Sequence, residues 1–450
     1  MGILIENADM VQFRPEKIIR GSDLYIEENR IERIGPGLKS EVQNSSDRSN
    51  RSDRGDRGID RIIDGRGKVL TPGLVCSHNH FYSALARGIV ADIPPSHDFV
   101  GVLKTLWWRL DRALDHDSLY ASGMVGALDA LRSGTTAVVD HSASPSYITG
   151  SLHTLKEAFE RCGLRGILCY ETTDRNGKEG RDEGIEENSK FISSMESDTV
   201  KGAVGAHAPF TLSDGTLAML SEIVSKTGRG IHVHVSEDRY EPSFSHHQFL
   251  ESPLERLERF GMLDEKSLII HGVHLLDKEL DLLGRHGSFL VHNPRSNMNN
   301  AVGYNEKLLD YKNIALGTDG IGSDMFEEAK FACFRAREQR RDIWPDHSMG
   351  MLHRGNSILE RYFGSSFGRL EPGCAADLLL LDYDPPTPLR EDNLAGHFIF
   401  GLASRNVHTV IVNGKVVMDG GSFPFDTEPV YREAREQAAG LWSRMNEISP

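Results

Sequence analysis

Two histidines separated by one residue carry the clearest chemical signal in this sequence. His78 and His80 end the apolar run GLVCSHNH. Residues i and i+2 of a strand point to the same face, so both imidazoles can meet one metal ion. Such a pair often occurs by chance, and with Asn79 it also makes a short match to the HNH nuclease motif. The pair therefore needs further ligands before it indicates a metal site.

Apolar runs recur between residues 71 and 370, and each is followed by a polar turn and a helix-like stretch. Alternation of strand and helix implies a parallel sheet. The runs are GLVCSHNH, TTAVVDH, LRGILCYE, KGAVGAHA, GIHVHVSE, SLIIHG, SFLVHNP and NIALGTD. Eight such units are typical of a (β/α)8 TIM-like barrel, and a span of about 300 residues suits one with insertions.

Other titratable residues stand at the carboxyl ends of these runs, where barrel active sites are built. They are His207, His234, Glu237, His271, His292 and Asp319. Their position supports the interpretation of His78 and His80 as metal ligands, because scattered surface histidines would not fall at strand ends. His207 and His292 can equally be structural residues that hydrogen-bond a strand end.

This set of side chains predicts hydrolytic chemistry. Three imidazoles and one carboxylate suit one divalent metal ion, with zinc favoured and iron as the alternative. Such an ion lowers the pKa of water and supplies hydroxide at neutral pH. Attack on an sp² carbon then requires a base for the water proton and an acid for the leaving group. Glu237, His271 and Asp319 are placed to serve in these roles.

Strand-like segments flank the predicted barrel on both sides. Residues 1–70 contain short alternating strands, and residues 371–450 contain ADLLLLDYD, HTVIVNGKVVMDGG and a terminal helix-like stretch. Asn413 and Gly414 predict a tight hairpin turn. We therefore predict an α/β protein in which both chain ends assemble one small discontinuous β-sandwich domain beside the barrel.

One segment has a different composition. Residues 40–61 contain almost no large apolar side chain and cannot bury enough surface to offset the entropy of ordering. The segment predicts a disordered loop. A charged interaction tail is the alternative, but its mixed signs give little net field.

Composition excludes several classes of partner. The formal net charge of -15 opposes binding to nucleic acid and to anionic membranes, so we expect a small-molecule substrate; a homo-oligomer stays possible. The five cysteines form no CxxC pair, which favours free thiols in a reducing compartment. The opening MGILIENADM has no secretory signal pattern, and we expect a cytoplasmic protein.

Several motifs together resemble a known family. SHNH, HVSE, HGVH and GTDG, in this order, resemble the amidohydrolase superfamily, in its branch of cytosine and guanine deaminases and chlorotriazine hydrolases. The resemblance covers nearly the whole chain. The stretches CSHNHFYSALARGI, LWWRLDRALD, DHSASPSYITGSL and CYETTDRNG are most similar to the SsnA-type aminohydrolases. The resemblance implies hydrolytic deamination of a small heterocycle through a metal-activated water.

The family pattern also implies which residues bind the metal. The ligands it implies are His78, His80, His234 and Asp319. The pattern places one ligand three residues before Glu237, which selects His234 over His232. A bridging lysine of two-metal members is absent, since the fourth run ends in His207, and one metal is therefore expected.

The same pattern assigns roles around the metal. Glu237 resembles the proton-shuttling acid, and His271 resembles the residue that polarises the water. The residues expected at the substrate are His207, His292, Asn297, Trp107 and Ser83. Trp107 can equally pack within a helix. Ser83 stands where purine deaminases of this branch commonly carry glutamine, which argues against guanine-like recognition.

Two alternative functions remain open at this stage. The same catalytic residues also serve hydrolysis of a cyclic amide or imide, or loss of another group from a ring carbon. A catalytically inactive scaffold of the same fold is the alternative outside the enzymes, but such a protein should have a broken ligand set.

Overall fold

The computed structural model describes residues 2–46, 58–96 and 98–449. Its strands, in chain order, are β1 (Gly2–Phe13), β2 (Glu16–Glu27), β3 (Arg30–Gly35), β4 (Arg61–Asp64), β5 (Val69–Pro72), β6 (Leu74–His80), β7 (Thr135–Ser142), β8 (Arg165–Tyr170), β9 (Val200–Gly202), β10 (Val204–Ala206), β11 (Ile231–Val235), β12 (Leu268–His271), β13 (Phe289–His292), β14 (Ile314–Leu316), β15 (Asp319–Gly320), β16 (Leu378–Leu381), β17 (Val407–Val412) and β18 (Lys415–Asp419).

Of the fifteen α-helices in the described residues, ten lie between β6 and β15, one lies before this region and four follow it. They are α1 (Leu38–Ser46), α2 (Phe99–Val102), α3 (Trp108–Ala113), α4 (His116–Arg132), α5 (Ser151–Cys162), α6 (Gly177–Ser194), α7 (Asp214–Thr227), α8 (Tyr240–Phe249), α9 (Pro253–Arg259), α10 (Asp277–His286), α11 (Pro294–Asn299), α12 (Met325–Gln339), α13 (Pro345–Phe363), α14 (Leu394–Phe400) and α15 (Glu428–Glu447). A π-helical turn, Leu103–Trp107, joins α2 to α3.

The parallel strands close into a ring. β6, β7, β8 and β9 pair in order, and β10 to β14 pair in order. Ala203 alone separates β9 from β10, and two residues separate β14 from β15, so each pair forms one interrupted strand. β15 pairs with β6 through Asp319 and Asn79, which completes eight strand positions. The (β/α)8 barrel expected from the eight apolar runs is confirmed.

Apolar side chains fill the barrel interior below the carboxyl end. This cluster joins side chains from the strands to side chains of α13 and the segment after it. Its largest members are Leu268, Ile270, Phe289, Ile358, Tyr362 and Phe367. The strands are therefore anchored to one another by a dry core, and their carboxyl ends are held rigidly relative to each other.

Capping explains the boundaries of α4, which follows the first βα unit. Asp115 accepts a hydrogen bond from the Ser118 amide, and Ser118 bonds back to the Asp115 amide, which forms a capping box. At the other end Gly134 has a φ of +79°, in the left-handed region that glycine adopts at little cost. Gly134 thereby lets the chain leave α4 and enter β7.

A second sheet is built from both ends of the chain. Its strand order is β18, β17, β16, β5, β1, β2, β3, with β4 beside β1. Asn413 and Gly414 both have positive φ and connect β17 to β18, as the predicted hairpin requires. Strands from both chain ends therefore share one sheet, as the prediction of a small domain assembled from both ends requires.

The segment predicted as a disordered loop is only partly described. Helix α1 covers residues 40–46 of it, so the prediction is wrong there. Its last residue, Arg61, begins β4. Residues 47–57 lie outside the described residues. Among the described residues, none of the helices has the length and apolar character needed to cross a membrane.

Candidate metal centre and cleft

A β-bulge in β6 turns the two histidines of the SHNH motif into the barrel. Cys76 pairs with Val138 and Asn79 pairs with Asp140, so β6 has one extra residue between these pairs. Val75 lies in the interior cluster, and strict alternation from it would point Ser77 and Asn79 inward. The extra residue reverses this phase, and both His78 and His80 face the centre.

Three later strands end in left-handed backbone at the same end of the barrel. Ser236 has a φ of +52°, His271 of +69° and Asp319 of +59°. Non-glycine residues adopt this conformation at a cost of about 1–2 kcal/mol each. At His271 the left-handed conformation matters because the preceding residue, Ile270, already points into the interior cluster. In a regular strand His271 would point the opposite way. The strained residue therefore brings a second consecutive side chain toward the centre.

The four predicted metal ligands meet at one point. His80 Nε2 lies 3.1 Å from Asp319 Oδ1, and His78 Nε2 lies 3.5 Å from the same oxygen. His234 Nε2 lies 3.2 Å from His80 Nε2. Two imidazole nitrogens that face each other this closely repel as lone pairs unless a proton or a cation lies between them. The donor set therefore fits a cation.

A hydrogen bond on the opposite ring nitrogen orients each of the four central imidazoles. The pairs are His78 Nδ1 with His232 Nε2 at 2.9 Å, His80 Nδ1 with the His141 carbonyl at 2.6 Å, His234 Nδ1 with the His207 carbonyl at 2.7 Å, and His271 Nδ1 with Asn297 Oδ1 at 2.8 Å. Metal-binding histidines usually have such outer partners, which fix the ring and its tautomer. All four Nε2 atoms are thus directed inward.

Two of these inward nitrogens are buried without a hydrogen-bond partner. They are His78 Nε2 and His271 Nε2. Burial lowers the pKa of His78 to about 3, and burial with nearby histidines holds the pKa of His234 well below its usual range. Both rings are therefore neutral and keep a lone pair for a metal. The residues present fit one divalent cation.

Asp319 is the anionic member of the centre. Although burial alone would raise its pKa, contacts with His78 and His80 hold the pKa of Asp319 well below its usual range. Its second oxygen, Oδ2, accepts a hydrogen bond of 2.6 Å from Ser296 and lies 3.7 Å from His271 Nε2. The carboxylate therefore joins the histidine pair of β6 to His271.

Glu237 stands beside this centre. Its Oε2 lies 3.4 Å from His271 Nε2, and its Oε1 accepts a hydrogen bond of 3.3 Å from Asn300. Burial, and then the charge of Asp319, raise the pKa of Glu237 well above its usual value. The left-handed turn at Ser236 separates Glu237 from His234, so the carboxyl group can hold a proton next to the centre.

A cleft of about 380 Å³ opens over these residues. Of the residues expected at the substrate, Ser83, Trp107 and His207 line it. The described lining does not include His292 or Asn297. Asn297 instead bonds His271, and His292 packs behind the wall, with its ring against Tyr304.

Sequence reasoning missed part of this environment. It set His232 aside as a near neighbour of a ligand, but His232 bonds His78 and lies 3.4 Å from Cys169 Sγ. The HxH spacing of His232 and His234 was the available signal, since both point to the same face. Asp111 also lines the cleft, and nothing in the helix-like stretch around it distinguishes it in the sequence.

The amidohydrolase family model matches residues 69–417 of the chain. A 5-methylthioadenosine/S-adenosylhomocysteine deaminase of Thermococcus sibiricus is 31% identical over 428 residues, which are 93% of this chain and 94% of the relative. The match spans the barrel and both parts of the small domain.

Solved structures show the same fold. An adenosine deaminase from Xanthomonas campestris with bound zinc superposes with a TM-score of 0.82 at 21% identity and covers 98% of each chain. Atrazine chlorohydrolase from Arthrobacter aurescens, complexed with zinc, gives a TM-score of 0.79 at 19% identity, covering 97% of this chain and 100% of its own. The resemblance to the amidohydrolase superfamily is confirmed, and the chain belongs to the amidohydrolase family.

Proposed function

We propose that this protein is a metal-dependent aminohydrolase that deaminates an amino-substituted nitrogen heterocycle, with uncharged adenine nucleosides as the first candidates. The observation that carries the proposal is the close approach of four side chains, with Glu237 beside them. His80 Nε2 lies 3.1 Å from Asp319 Oδ1 and 3.2 Å from His234 Nε2, and His78 Nε2 lies 3.5 Å from the same Asp319 oxygen. An inactive scaffold would not need to keep this whole set, or the buried nitrogens without partners.

The donor set favours one zinc ion, with iron as the alternative. Imidazole nitrogens and one carboxylate oxygen are borderline ligands that suit either metal. A divalent cation held there acts as a Lewis acid and lowers the pKa of water. The residues that would hold it are His78, His80, His234 and Asp319. The hydrogen-bond partners behind the three imidazoles keep the Nε2 lone pairs directed at the cation.

The remaining steps fall to protein side chains. His271 Nε2 and Asp319 Oδ2, 3.7 Å apart, can hold a water between them, and Glu237 Oε2 lies within 3.4 Å of that histidine. Glu237 can take the water proton as the water attacks the ring carbon, and can pass it to the ring nitrogen or the leaving amine. One carboxyl group can serve first as base and then as acid because it stands beside the place where the water would lie.

The cleft selects against anionic substrates. Its lining carries six acidic residues: Asp111, Glu171, Glu237, Asp238, Glu241 and Asp319. Burial raises the pKa of Asp111, Glu237 and Glu241, so only part of this set is anionic at neutral pH. Arg295 is its one arginine or lysine among the described residues, and it is held by Glu328 and by the Thr318 carbonyl. A phosphate would find no free cation there. A base or nucleoside fits these charges better than a nucleotide.

The size and aromatic walls of the cleft agree with this class. A volume of about 380 Å³ lies within the ordinary range for small-molecule sites. Tyr82, Phe99, Trp107 and Trp108 are among its lining residues, and a flat ring can stack on such side chains. The relative and the neighbour named as adenosine-type deaminases make adenine nucleosides the first compounds to try.

Loss of a different group from the same ring carbon is the second candidate. The neighbour named as an atrazine chlorohydrolase shares the fold, and the same residues could hydrolyse a ring C–X bond or a cyclic amide or imide. Glu237 would again be the proton carrier.

The test is an ammonia-release screen of zinc-loaded protein. Adenosine, 5′-deoxyadenosine, AMP, guanine, cytosine, a pterin and an aminotriazine would be supplied, and products would be separated by chromatography. We expect ammonia from an uncharged adenine nucleoside and little from AMP. Ammonia from none of them, at a full equivalent of zinc, would overturn the proposal and favour the second candidate.

We also propose a reducing compartment, the cytoplasm, for this protein. All five cysteines are buried and free in the structure. Free thiols persist where glutathione and thioredoxin keep them reduced. Localisation of a fluorescent fusion tests the assignment, and a secreted fusion would contradict it.

A further inference from the structure

One wall of the cleft carries two buried carboxyl groups, and a guanidinium that is not among the lining residues lies beside them. Asp111 and Glu171 both line the cleft, and only 3% and 5% of their surfaces are exposed. Arg175 Nη2 lies 2.6 Å from Glu171 Oε1 but 4.0 Å from Asp111 Oδ2. The guanidinium also lies over the Trp108 ring, 4.4 Å from its centroid. Arg175 is therefore committed to Glu171 and satisfies Asp111 only in part.

One oxygen of Asp111 is left without an ordinary partner. Its Oδ1 is buried and makes no hydrogen bond within the described part of the chain. Burial, opposed by Arg175 but assisted by Glu171, raises the pKa of Asp111 to about 8. A buried polar atom in this state costs free energy unless something else bonds it, and such atoms in native proteins usually have a reason.

A purely structural carboxylate looks different in this protein. Asp377 is also buried, but Arg165 bonds both of its oxygens, at 2.6 and 2.9 Å, and the Asn413 amide bonds one of them. Asp111 has none of these partners although it stands at the cleft. The contrast favours a ligand as the missing partner of Asp111.

The neighbouring groups determine what that ligand must offer. Both Glu171 oxygens already face Arg175 or His141, at 2.6 and 3.4 Å. His207 uses Nδ1 for the Thr211 hydroxyl at 2.8 Å, which leaves Nε2 for the cleft. The wall thus presents acceptor oxygens and no uncommitted cation, and a donor bound at Asp111 Oδ1 would favour the carboxylate form that burial otherwise disfavours. A group that donates hydrogen bonds and carries no negative charge complements it.

We propose that Asp111, flanked by Glu171 and His207, forms a specificity subsite that binds a neutral hydrogen-bond donor of the substrate. The donor is a hydroxyl of a sugar or an amino group on the ring edge remote from the reacting carbon. This inference rests on the proposed function, because it concerns the part of the same substrate that does not react.

Two pairs of compounds separate the two sources of the donor. Adenosine and 2′,3′-dideoxyadenosine differ only in sugar hydroxyls, and 2,6-diaminopurine and adenine differ only in a second ring amino group. With zinc-loaded wild-type protein we expect the donor-bearing member of one pair to have kcat/KM higher by about 10- to 100-fold, the usual effect of an unpaired buried polar group.

Variants of Asp111 attribute that preference to the side chain. Asp111→Leu removes the acceptor, and we expect KM for the donor-bearing compound to rise while kcat is kept, since the lost contact is made equally in ground and transition states. Asp111→Asn keeps an acceptor oxygen and should retain most of the preference. Asp117→Leu makes the same change at a highly exposed carboxylate and should alter neither constant.

Binding to each compound, measured by calorimetry on the zinc-loaded protein, separates this inference from the proposed function. Binding preference for the donor-bearing compound without turnover would overturn the deaminase proposal alone and support the subsite. Equal kcat/KM within both pairs in the wild type, or no binding of any of the four compounds, would overturn the subsite. If circular dichroism shows that Asp111→Leu is unfolded, the comparison of compounds on the wild-type protein still tests the subsite. A preference unchanged in a folded Asp111→Leu would also overturn it.

Discussion

Two buried charged clusters lie at opposite ends of the barrel and differ in how completely they are satisfied. At the amino-terminal end Arg165, the first residue of β8, forms a bidentate ion pair with Asp377. Its guanidinium also lies 4.9 Å from the ring centres of Phe363 and Phe367. At the carboxyl end the imidazoles around Asp319 turn nitrogens without partners toward one another.

The difference separates stabilising charge from functional charge. The pair of Arg165 and Asp377 connects the barrel to the small sheet, and its donors and acceptors are matched inside the protein. The histidine cluster leaves the inward nitrogens of His78 and His271 without a partner, and its strands end in strained backbone. Breaking the first cluster should therefore change stability, and breaking the second should change metal content and turnover.

The largest effect is expected from His78→Ala. The side chain supplies a buried ligand from a rigid strand, so its loss should lower bound zinc below about a tenth of an equivalent and turnover by about 10⁴-fold. Elemental analysis and a turnover assay on one preparation measure both. His246→Ala, at an exposed histidine of α8, is the matched control. A full equivalent of tightly bound zinc in His78→Ala would contradict the ligand assignment.

Glu237→Gln should lower the turnover rate without lowering the content of bound metal. The amide keeps the shape and the hydrogen bond to Asn300 but cannot carry the proton. We expect zinc near the wild-type level and turnover lower by about 10²-fold or more. Glu222→Gln, at an exposed position of α7, controls for the loss of a carboxylate. A variant within about threefold of wild-type turnover would remove Glu237 from the mechanism.

His232→Leu tests whether the partner behind a ligand matters. The change removes the 2.9 Å bond to His78 Nδ1, which fixes the tautomer of that ring. Zinc affinity should fall by about 10- to 100-fold, as measured by competition with a chelating dye, and His232→Gln should recover part of it through its amide. Unchanged zinc affinity in a folded His232→Leu protein would show that His78 does not need this bond.

Arg165→Met should leave kcat unchanged and lower stability. Removing one partner leaves Asp377 buried without its counter-charge, at a cost of about 3–5 kcal/mol in the free energy of unfolding. Denaturant unfolding of the zinc-loaded protein measures it. Adding Asp377→Leu to Arg165→Met should restore part of the loss, because the unpaired carboxylate is removed. Loss of zinc without loss of stability would contradict the separation between the two clusters.

The barrel and most of the centre could be predicted from sequence for a physical reason. Parallel strands are buried on both faces and read as apolar runs, and βα topology places all their carboxyl ends together. His234, His271 and Asp319 therefore converge wherever such a barrel closes. The helix over residues 40–46 was missed because a polar composition gave no apolar periodicity.

Details that depend on local backbone could not be predicted. Strict alternation cannot place both Val75 and His78 inside, and only the bulge in β6 resolves this. The positive φ of His271 and Asp319 has no signature in residue type, since neither is glycine. The approach of Arg175 to Asp111 depends on how α3 lies relative to the loop after β8, and the spacing of residues along the chain does not reveal it.

The sheet that both chain ends build also constrains the order in which the chain can fold during synthesis. β5 pairs on one side with β1 and on the other with β16, whose first residue, Leu378, lies opposite Pro72. Translation must pass through the entire barrel before this partner leaves the ribosome. Until then β5 presents an open strand edge, a site for wrong pairing with other nascent chains. A late truncation that removes β16 to β18 should therefore leave a chain that aggregates, even though every residue of the metal centre has been made.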